Sequence, residues 1–410
     1  PRVRSLWMGR KSLSRGTRPR APDILVPWND PSYFHLLLNN ETGRGVKSAK
    51  PHGVAMSEHI AFLEKLLNSP GPSGFEVGPA RVWREEAERF AHEVRADVTG
   101  NSVAVLNAEG RPRVMLAGHI DEIGLQVTHI DEGGFLFFDE IGGWDSQVLV
   151  GQRVLVLAGR GQIPGVIGKK PIHLLKAEER EKATKTKDLW VDLGCSDANE
   201  VAEVGIRVGD PMVLDAGLIR LAGDRIASRS IDNRIGAYVV LEALRLLSED
   251  PPEAATFAVA TVQEEIAYSG GGARSSAFAL EPDVALVVDV TFSTDVPDIE
   301  KKELGEHNIG GGPVLSRGSS NHPVVFNGLF EAAEAEGIPY TLQAAPRATR
   351  TDADGIHLVR MGVPTGLISV PNRYMHSPNE VVSLGDLEKT AELMAAFIRR
   401  LEPTADFTPR

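Results

Sequence analysis

The chain has 410 residues, of which 42% are hydrophobic and 24% charged, as is typical of soluble globular domains with a sizeable buried core. Its formal net charge of −12 argues against a nucleic-acid partner, and no apolar run is long enough to predict a membrane span. Cys195 is the only cysteine, so no disulfide can form within the chain and a cytoplasmic location is predicted.

The first 55 residues differ from the rest in their basic charge, with ten lysine and arginine residues against three acidic residues. They are rich in Pro, Gly and Ser and have no sustained helical or strand period. We predict a disordered extension, which could lie upstream of a biological start at Met56. A targeting peptide is the second interpretation, since the first twenty residues are rich in Arg and Ser and lack acids. A basic arm that binds nucleic acid or acidic surfaces is the third.

From Met56 onward, the pattern indicates helices that alternate with buried strands. An amphipathic helix is predicted to begin at Met56, and a second one to run through Trp83, Ala87, Phe90 and Val94. This alternation predicts a three-layer α/β domain. The further predicted elements are strands at 103–106 and 114–117, a helix at 232–247, strands at 256–262 and 284–288, a helix around 329–335, a strand at 366–370 and a final helix at 387–401.

Residues 124–216 have a different texture, with short strands, Gly-rich turns and a charged run from Lys176 to Asp188. Small strands at this spacing predict a compact β-barrel or sandwich inserted in the α/β domain. An elaborate loop region is the alternative, which the length of the stretch disfavours. We therefore divide the chain into an extension (1–55), a catalytic domain in two parts (56–123 and 217–402), an insert (124–216) and a tail (403–410).

Side chains that can bind a metal follow several of the predicted strands or begin a helix. In open α/β sheets, ligands bind beyond the carboxyl ends of the strands, so these side chains are expected to meet at one rim. Two histidines with carboxylates suit Zn²⁺ or Co²⁺ better than Mg²⁺ or Ca²⁺, and one carboxylate is left over for proton transfer. This composition is typical of a two-metal hydrolase. The candidates are His119, Asp232, Glu264, Glu265, Asp289 and His376.

Each candidate taken alone has a simpler explanation. His119 could be a hydrogen-bonded core residue, Asp232 a carboxylate at a helix N-terminus, and Asp289 a turn former. The pair Glu264–Glu265 could be a charged loop. The conjunction favours the metal centre, because two adjacent acids that end a buried strand cannot both be buried without partners.

Five segments of the chain resemble the TET-type metalloaminopeptidases, a family that also carries the names glutamyl aminopeptidase and cellulase M. They include the segment at 118–130, which begins Gly-His-Ile-Asp-Glu-Ile-Gly, and Arg-Tyr-Met-His-Ser-Pro-Asn-Glu at 373–380. The segment at 165–175 is similar to the family's inserted domain. The resemblance extends in order from Met56 to about Leu401. The other three segments are 230–236, 262–265 and 288–290.

The resemblance implies two divalent metal ions per subunit, with Zn²⁺ preferred and Co²⁺ as the alternative. Asp232 would bridge the two ions. His119 and Asp289 would complete one site, and Glu265 and His376 would complete the other.

The resemblance also implies a catalytic pair and a reaction. Glu264 would be the general base that deprotonates a metal-bridging water and later protonates the leaving amine. Asp121 would accept a hydrogen bond from His119 and fix its tautomer, as a metal-bound imidazole requires. The reaction would be removal of N-terminal residues from peptides. The insert would be a PDZ-like dimerisation domain, with dimers assembling into a hollow tetrahedral dodecamer.

The chain departs from the family pattern in two loops, at 266–274 and 293–322, so the resemblance does not imply a side-chain preference. His322, His357 and Asp352 could border the substrate pocket or be structural. The rival function is a related metallohydrolase such as a deacylase, a carboxypeptidase or a glycosidase, although two candidate histidine ligands argue against a glycosidase. A non-catalytic scaffold on the same fold would be expected to lack a ligand or the base, and the sequence retains them all.

Overall fold

The computed structural model describes residues 52–267 and 270–410. The extension predicted at 1–55 therefore lies outside the described residues, except for 52–55, which belong to the first helix. Over the described ranges, no helix combines the length and the apolar character that crossing a membrane would need.

The described residues form eleven α-helices and seventeen strands. The helices are α1 (His52–Asn68), α2 (Val77–Ala87), α3 (Ser146–Leu149), α4 (Ala177–Arg180), α5 (Ala198–Val204), α6 (Ile231–Ser248), α7 (Gly271–Leu280), α8 (Lys301–Leu304), α9 (Pro323–Glu336), α10 (Asp352–Ile356) and α11 (Leu384–Arg399). The strands are β1 (Glu93–Ala96), β2 (Ser102–Leu106), β3 (Arg113–His119), β4 (Gly124–Ile130), β5 (Leu136–Ile141), β6 (Arg153–Ala158), β7 (Gly161–Gly168), β8 (Trp190–Asp192), β9 (Pro211–Leu214), β10 (Ile219–Arg220), β11 (Arg225–Ser228), β12 (Ala255–Thr261), β13 (Val284–Phe292), β14 (Val314–Arg317), β15 (Thr341–Ala344), β16 (Thr365–Asn372) and β17 (Glu380–Ser383).

Eight strands form one mixed sheet in the order β1-β2-β12-β3-β13-β16-β14-β15. The four central strands, β12, β3, β13 and β16, run parallel to one another. Their carboxyl ends therefore lie at the same edge of the sheet, where open α/β sheets bind ligands. The outer strands β2 and β14 run antiparallel to their central neighbours.

Helices cover both faces of this sheet, which confirms the predicted three-layer α/β architecture. On one face, α1, α2, α6, α9 and α11 build the larger apolar core, which includes the fully buried Leu66, Trp83 and Leu244. On the other face, α7 and α10 pack against strand residues such as Met115 and Phe257.

Strand β3 and helix α6 approach each other backbone to backbone. A Cβ atom on Gly118 would lie 2.4 Å from the carbonyl carbon of Gly236, so no larger residue fits at this crossing. His119 is the next residue of β3, and the close crossing brings it against the first turn of α6. Two glycines thus set the spacing on which the site described below depends.

The predicted insert is a closed barrel of six strands, in the order β4-β5-β8-β7-β6-β9, and all neighbours that pair are antiparallel. Side chains such as Leu125, Leu136, Val154 and Val191 fill its core. Its first strand begins five residues after His119. The inserted barrel is confirmed, and the short helices α3, α4 and α5 lie within the same stretch of chain.

One predicted helix was too long, and two features were not predicted. The second helix ends at Ala87, and Val94 lies in the edge strand β1. Phe90 and Val94 still pack against the main core, from a turn and a strand, so their apolar spacing reflected burial and not helical geometry. Helix α7 was missed because its Gly-Gly start has low helix propensity. The small antiparallel sheet β10-β11-β17 was not predicted either.

Candidate metal centre

His119 is the last residue of β3 and is only 1% exposed. Its Nε2 atom lies 3.3 Å from Oδ1 of Asp232 and 3.8 Å from Oε2 of Glu264. Its Nδ1 atom lies 3.3 Å from Oδ1 of Asp121. The ring therefore presents one nitrogen to the carboxylates of the site and the other to the acid two residues further along the chain.

Asp232 lies between two histidines. Its second carboxylate oxygen, Oδ2, is 3.4 Å from Nε2 of His376. The residue was predicted to begin a helix, but its dihedral angles and those of Asn233 are not helical, so the regular part of α6 starts only after them. The carboxylate thus belongs to a non-helical turn, and the two histidines approach it through different oxygens.

Glu264 and Glu265 follow the end of β12, and the side chain of Asp121 contacts the backbone of both. The carboxylate of Asp121 accepts the backbone N–H of Glu264 at 3.2 Å and that of Glu265 at 3.1 Å. Oε1 of Glu265 lies 3.5 Å from Nε2 of His376. Asp121 therefore lies against both His119 and the backbone of the two glutamates.

Asp289 was predicted to end its strand, but β13 continues to Phe292 and Asp289 lies within it. The pairing of β13 with β3 stops at Val287, so the two strands separate just before Asp289. The side chain of Asn233 enters this gap and donates a hydrogen bond to the carbonyl of Val288 at 2.8 Å. Asp289 is buried at the point where the sheet opens.

His376 lies on the loop after β16, in the left-handed region at φ 58°. Its Nδ1 atom is 2.7 Å from the carbonyl oxygen of Gly143, and its backbone N–H donates to Oε1 of Glu380 at 2.9 Å. A third of its side chain is exposed (33%), unlike that of His119. This loop residue thus depends on contacts with segments distant in the sequence.

The buried charges of the site shift the pKa values of its members in opposite directions. Burial alone would lower the pKa of His119, but the charges of Asp121, Asp232 and Glu264 outweigh it and raise that pKa well above its usual range. Burial and neighbouring carboxylates raise the pKa of Glu264 and of Asp289 well above the usual range, against the opposing charge of His119. The histidines lower the pKa of Asp232 despite its burial.

The residues present fit a divalent cation. His119, Asp232 and Glu265 each offer a ligand atom, and these atoms lie within 4.8 Å of one another. Oε1 of Glu265 is buried and finds no hydrogen-bond partner among the described residues. Several carboxylates buried together need positive charge beyond that of two imidazoles, and imidazole with carboxylate is the donor set of Zn²⁺ and similar ions.

Three further residues, Asp352, His322 and His357, were predicted either to border the substrate pocket or to be structural. Asp352 is buried, accepts a hydrogen bond from the Thr261 hydroxyl, and contributes to the raised pKa of Glu264 and Asp289. His322 is the residue before α9, and His357 follows α10, where its Nδ1 contacts the carbonyl of Ala353. Among the described residues, Asp352 is thus the one of these three whose charge acts on the cluster.

Sequence reasoning assigned no role to Glu380. Its two carboxylate oxygens accept the backbone N–H of Asp232 at 2.9 Å and that of His376 at 2.9 Å, and the side chain is 2% exposed. One acid thus connects the turn of Asp232 to the loop of His376. Glu380 ends the segment 373–380, whose sequence resembles the family. That resemblance indicated the residue but not the backbone groups with which it forms hydrogen bonds.

A buried ion-pair network was also missed. Glu122 accepts hydrogen bonds from the guanidinium groups of Arg229 at 2.5 Å and Arg234 at 2.9 Å. Arg234 also donates to the carbonyl of Ile120 at 3.0 Å. These contacts connect the segment after β3 to the residues on either side of Asp232. The sequence shows these charged residues near two candidate ligands, but it does not show that they pair with one another.

A three-layer α/β domain, an inserted barrel and a buried histidine and carboxylate cluster at the strand ends define a metal-dependent hydrolase. The comparisons with known proteins narrow this class. A profile of the M42 glutamyl aminopeptidase family matches residues 100–393. A lysyl aminopeptidase of Pyrococcus furiosus is 36% identical over 351 residues, which are 85% of this chain and 99% of the relative.

Solved structures agree. A TET aminopeptidase from a marine-sediment Thaumarchaeota archaeon matches with a TM-score of 0.81 at 34% identity, over 85% of this chain and 98% of its own. The TET1 peptidase of Pyrococcus horikoshii matches with a TM-score of 0.72 at 30% identity, over 84% of this chain and 100% of its own. The chain belongs to the M42 glutamyl aminopeptidase family, as the resemblance implied. It is a metal-dependent aminopeptidase, a hydrolase that acts at the N-terminus of peptides.

Proposed function

We propose that the centre would hold two divalent cations, with Asp232 as the ligand that both would share. His119 and Asp289 would complete one site, and Glu265 and His376 would complete the other. One observation carries this proposal: the two oxygens of Asp232 face different histidines, at 3.3 Å and 3.4 Å from their Nε2 atoms. A carboxylate that offers one oxygen to each of two imidazoles is arranged as a bridging ligand. Zn²⁺ is the preferred ion and Co²⁺ the alternative, because both accept mixed nitrogen and oxygen ligands.

The bound cations would polarise the scissile carbonyl and lower the pKa of the attacking water. Glu264 is the general base that accepts the proton of this water at a carboxylate oxygen and later donates it to the leaving amine nitrogen. Burial and neighbouring acids raise the pKa of Glu264, which makes its carboxylate a stronger base than that of an exposed glutamate. Asp121 holds the Glu264 backbone in place and orients His119, so it is a positioning residue.

The proposed substrates are peptides with a free α-amino group, held near the acids of the site. The N-terminal ammonium carries a positive charge, and the cluster of buried carboxylates attracts it. The names of the relatives, lysyl and glutamyl aminopeptidase, support hydrolysis of N-terminal residues. The lone Cys195, which cannot form a disulfide within the chain, supports the proposed cytoplasmic location.

The mechanism is tested with Glu264→Gln. We expect this variant to retain two metal ions and its melting temperature, and to lose about 10²–10⁴-fold in kcat on an aminoacyl-p-nitroanilide. Glu109→Gln, on the turn after β2, is the control for losing one acidic charge. Activity of the Glu264 variant within twofold of the parent would refute its assigned role.

Substrate class is tested by comparing aminoacyl-p-nitroanilides with N-blocked peptides and carboxymethylcellulose. Turnover of only the free-amine substrates is expected. Hydrolysis of blocked peptides alone would show a deacylase or carboxypeptidase activity, and cleavage of the polysaccharide alone would show a glycosidase.

We further propose that the barrel is a PDZ-like dimerisation domain and that dimers assemble into a larger hollow particle. The P. horikoshii relative is described as assembling into a tetrahedron or an octahedral shell. The insert exposes Val166, Ile172 and Leu174 in this chain, apolar surface that a partner subunit would cover. Light scattering of the full chain should give a mass of about twelve subunits, and Ile172→Lys with Leu174→Lys should lower it. A monomeric parent would contradict the assembly.

A further inference from the structure

We propose that the inserted barrel supplies a positioning element for one half of the metal centre. The segment Gly142–Gly143, between β5 and α3, fixes the orientation of His376 and confines Glu265. This inference rests on the proposed function, in which both residues are ligands of one ion. It assigns to the insert a role in the active site in addition to assembly.

The first observation concerns the tautomer of His376. Its Nδ1 atom lies 2.7 Å from the carbonyl oxygen of Gly143, and a carbonyl oxygen can only accept. Nδ1 must therefore carry the proton, which leaves Nε2 of the neutral ring with a free lone pair. Nε2 faces Asp232 and Glu265, at 3.4 Å and 3.5 Å, so the lone pair points to where an ion would lie between them.

The second observation concerns the space beside Glu265. Gly142 lies in the left-handed region at φ +76°, and a Cβ atom there would be 3.3 Å from Oε2 of Glu265 and 2.5 Å from Cγ2 of Ile123. The backbone of the insert therefore lies directly against the carboxylate. A side chain at Gly142 could enter only by moving this segment away from Ile123 or the glutamate away from its position.

The third observation is that this segment is fixed at its far end. The indole N–H of Trp144 donates to the carbonyl of Gly124 at 2.8 Å, and Asp145 caps α3 by accepting the backbone N–H of Gln147. The carbonyl of Gly143 is thus presented to His376 by an anchored turn of the barrel. The Nδ1 atom of His119, in contrast, lies near a residue of the catalytic domain itself, 3.3 Å from Oδ1 of Asp121.

The test compares Gly142→Ala with Gly151→Ala in the full-length protein. Both glycines belong to the insert and have nearly the same backbone angle, φ +76° and +78°, so alanine causes the same type of backbone strain. A Cβ on Gly151 would meet no atom of the described residues within 4 Å, whereas one on Gly142 meets Ile123 and Glu265. The pair therefore separates backbone strain from contact with the site.

Demetallated protein is titrated with Zn²⁺ alone and with Co²⁺ alone by calorimetry, and the Co²⁺ absorption spectrum is recorded. The parent and Gly151→Ala should bind two ions per subunit. Gly142→Ala should bind the first ion, at His119 and Asp289, as the parent does. It should bind the second ion, at Glu265 and His376, about 10–100-fold more weakly than the parent, as expected when groups that orient a ligand are disturbed. Gly151→Ala should show the fall in melting temperature that backbone strain alone causes, and Gly142→Ala a larger fall because its Cβ also meets Ile123.

Trp144→Phe tests the same segment without strain at a glycine, because it removes the indole donor and trims the ring that packs against the barrel core. It should weaken the second ion in the same direction and leave the first unchanged. Two ions of parental affinity in both Gly142→Ala and Trp144→Phe would overturn the inference, as would loss of the second ion in Gly151→Ala. A parent that binds fewer than two ions would overturn the proposed function, and the inference with it.

Discussion

The two halves of the metal centre are built in different ways. His119 ends a central strand, is 1% exposed, and has its Nδ1 atom 3.3 Å from Oδ1 of an acid two residues further along the chain. His376 lies on a loop, has a third of its side chain exposed (33%), and is oriented by a carbonyl of the insert and by Glu380. The histidine of one half is thus positioned by the central sheet, and the histidine of the other half by contacts with two separate segments.

This difference has a physical consequence. A ligand at the end of a paired strand loses little freedom when an ion binds, because backbone pairing with β12 already fixes it. A ligand on a loop keeps its position only while each of its contacts holds. We therefore expect the half with His119 to bind its ion more tightly and the half with His376 to be the more sensitive to remote substitution.

The largest expected effect comes from the residue that the halves share. Asp232→Asn removes the charge of the bridge and offers one acceptor oxygen where two faced the histidines. We expect loss of both ions and a fall in kcat/KM of at least about 100-fold. Metal analysis after dialysis checks it. Retention of one ion at full affinity would show that the halves do not depend on a common carboxylate.

A smaller effect is expected from Glu380→Gln. A carboxamide has one acceptor oxygen, so it can satisfy only one of the two backbone N–H groups that Glu380 now accepts. The free energy of unfolding should fall by about 1–3 kcal/mol. The ion at Glu265 and His376 should bind about tenfold more weakly than in the parent, with a smaller change at the other ion. Urea unfolding and calorimetry measure the two quantities. Equal weakening of both ions would contradict the asymmetry of the halves.

The smallest expected effect is a change in proton release. Burial opposes the charge on His376, but Asp232 and Glu265 outweigh it and raise its pKa to about 11. This imidazole is therefore protonated at neutral pH without metal and must lose a proton to bind an ion, so metal affinity should fall as pH falls from about 8 to about 6. Calorimetry in buffers of different ionisation enthalpy counts the protons, and His376→Ala should release fewer than the parent.

The same raised pKa sets the sign of a stability effect in the metal-free protein. Because the folded-state pKa of His376 lies above the ordinary value of 6.5, its ion pairs contribute full stability below about pH 6.5. That contribution is lost as pH rises towards about 11. A metal-free parent that gains stability relative to His376→Ala over that rise would contradict the ion pairs.

Much of the fold could be predicted from the sequence, because burial on both faces of the central strands leaves long apolar runs such as that of β3 and β12. The insert could be predicted because its short strands and Gly-rich turns differ from the longer apolar runs of the catalytic domain. Helix α2 was drawn too long because residues outside a helix can share its apolar spacing when they pack on the same core, as Phe90 and Val94 do. The missed α7 contains Gly271 and Gly272, whose propensity argues against a helix.

By itself, the sequence determined which residues are candidates for the centre, since each was predicted to follow a strand or to begin a helix and parallel strands end at one edge. Only the tertiary structure decided how they are held. Glu380, the network of Glu122, and the carbonyl of Gly143 act through contacts between distant segments, and Gly143 and His376 are 233 residues apart. Local patterns report burial and propensity, whereas a hydrogen bond between distant segments exists only once packing has brought its donor and acceptor together.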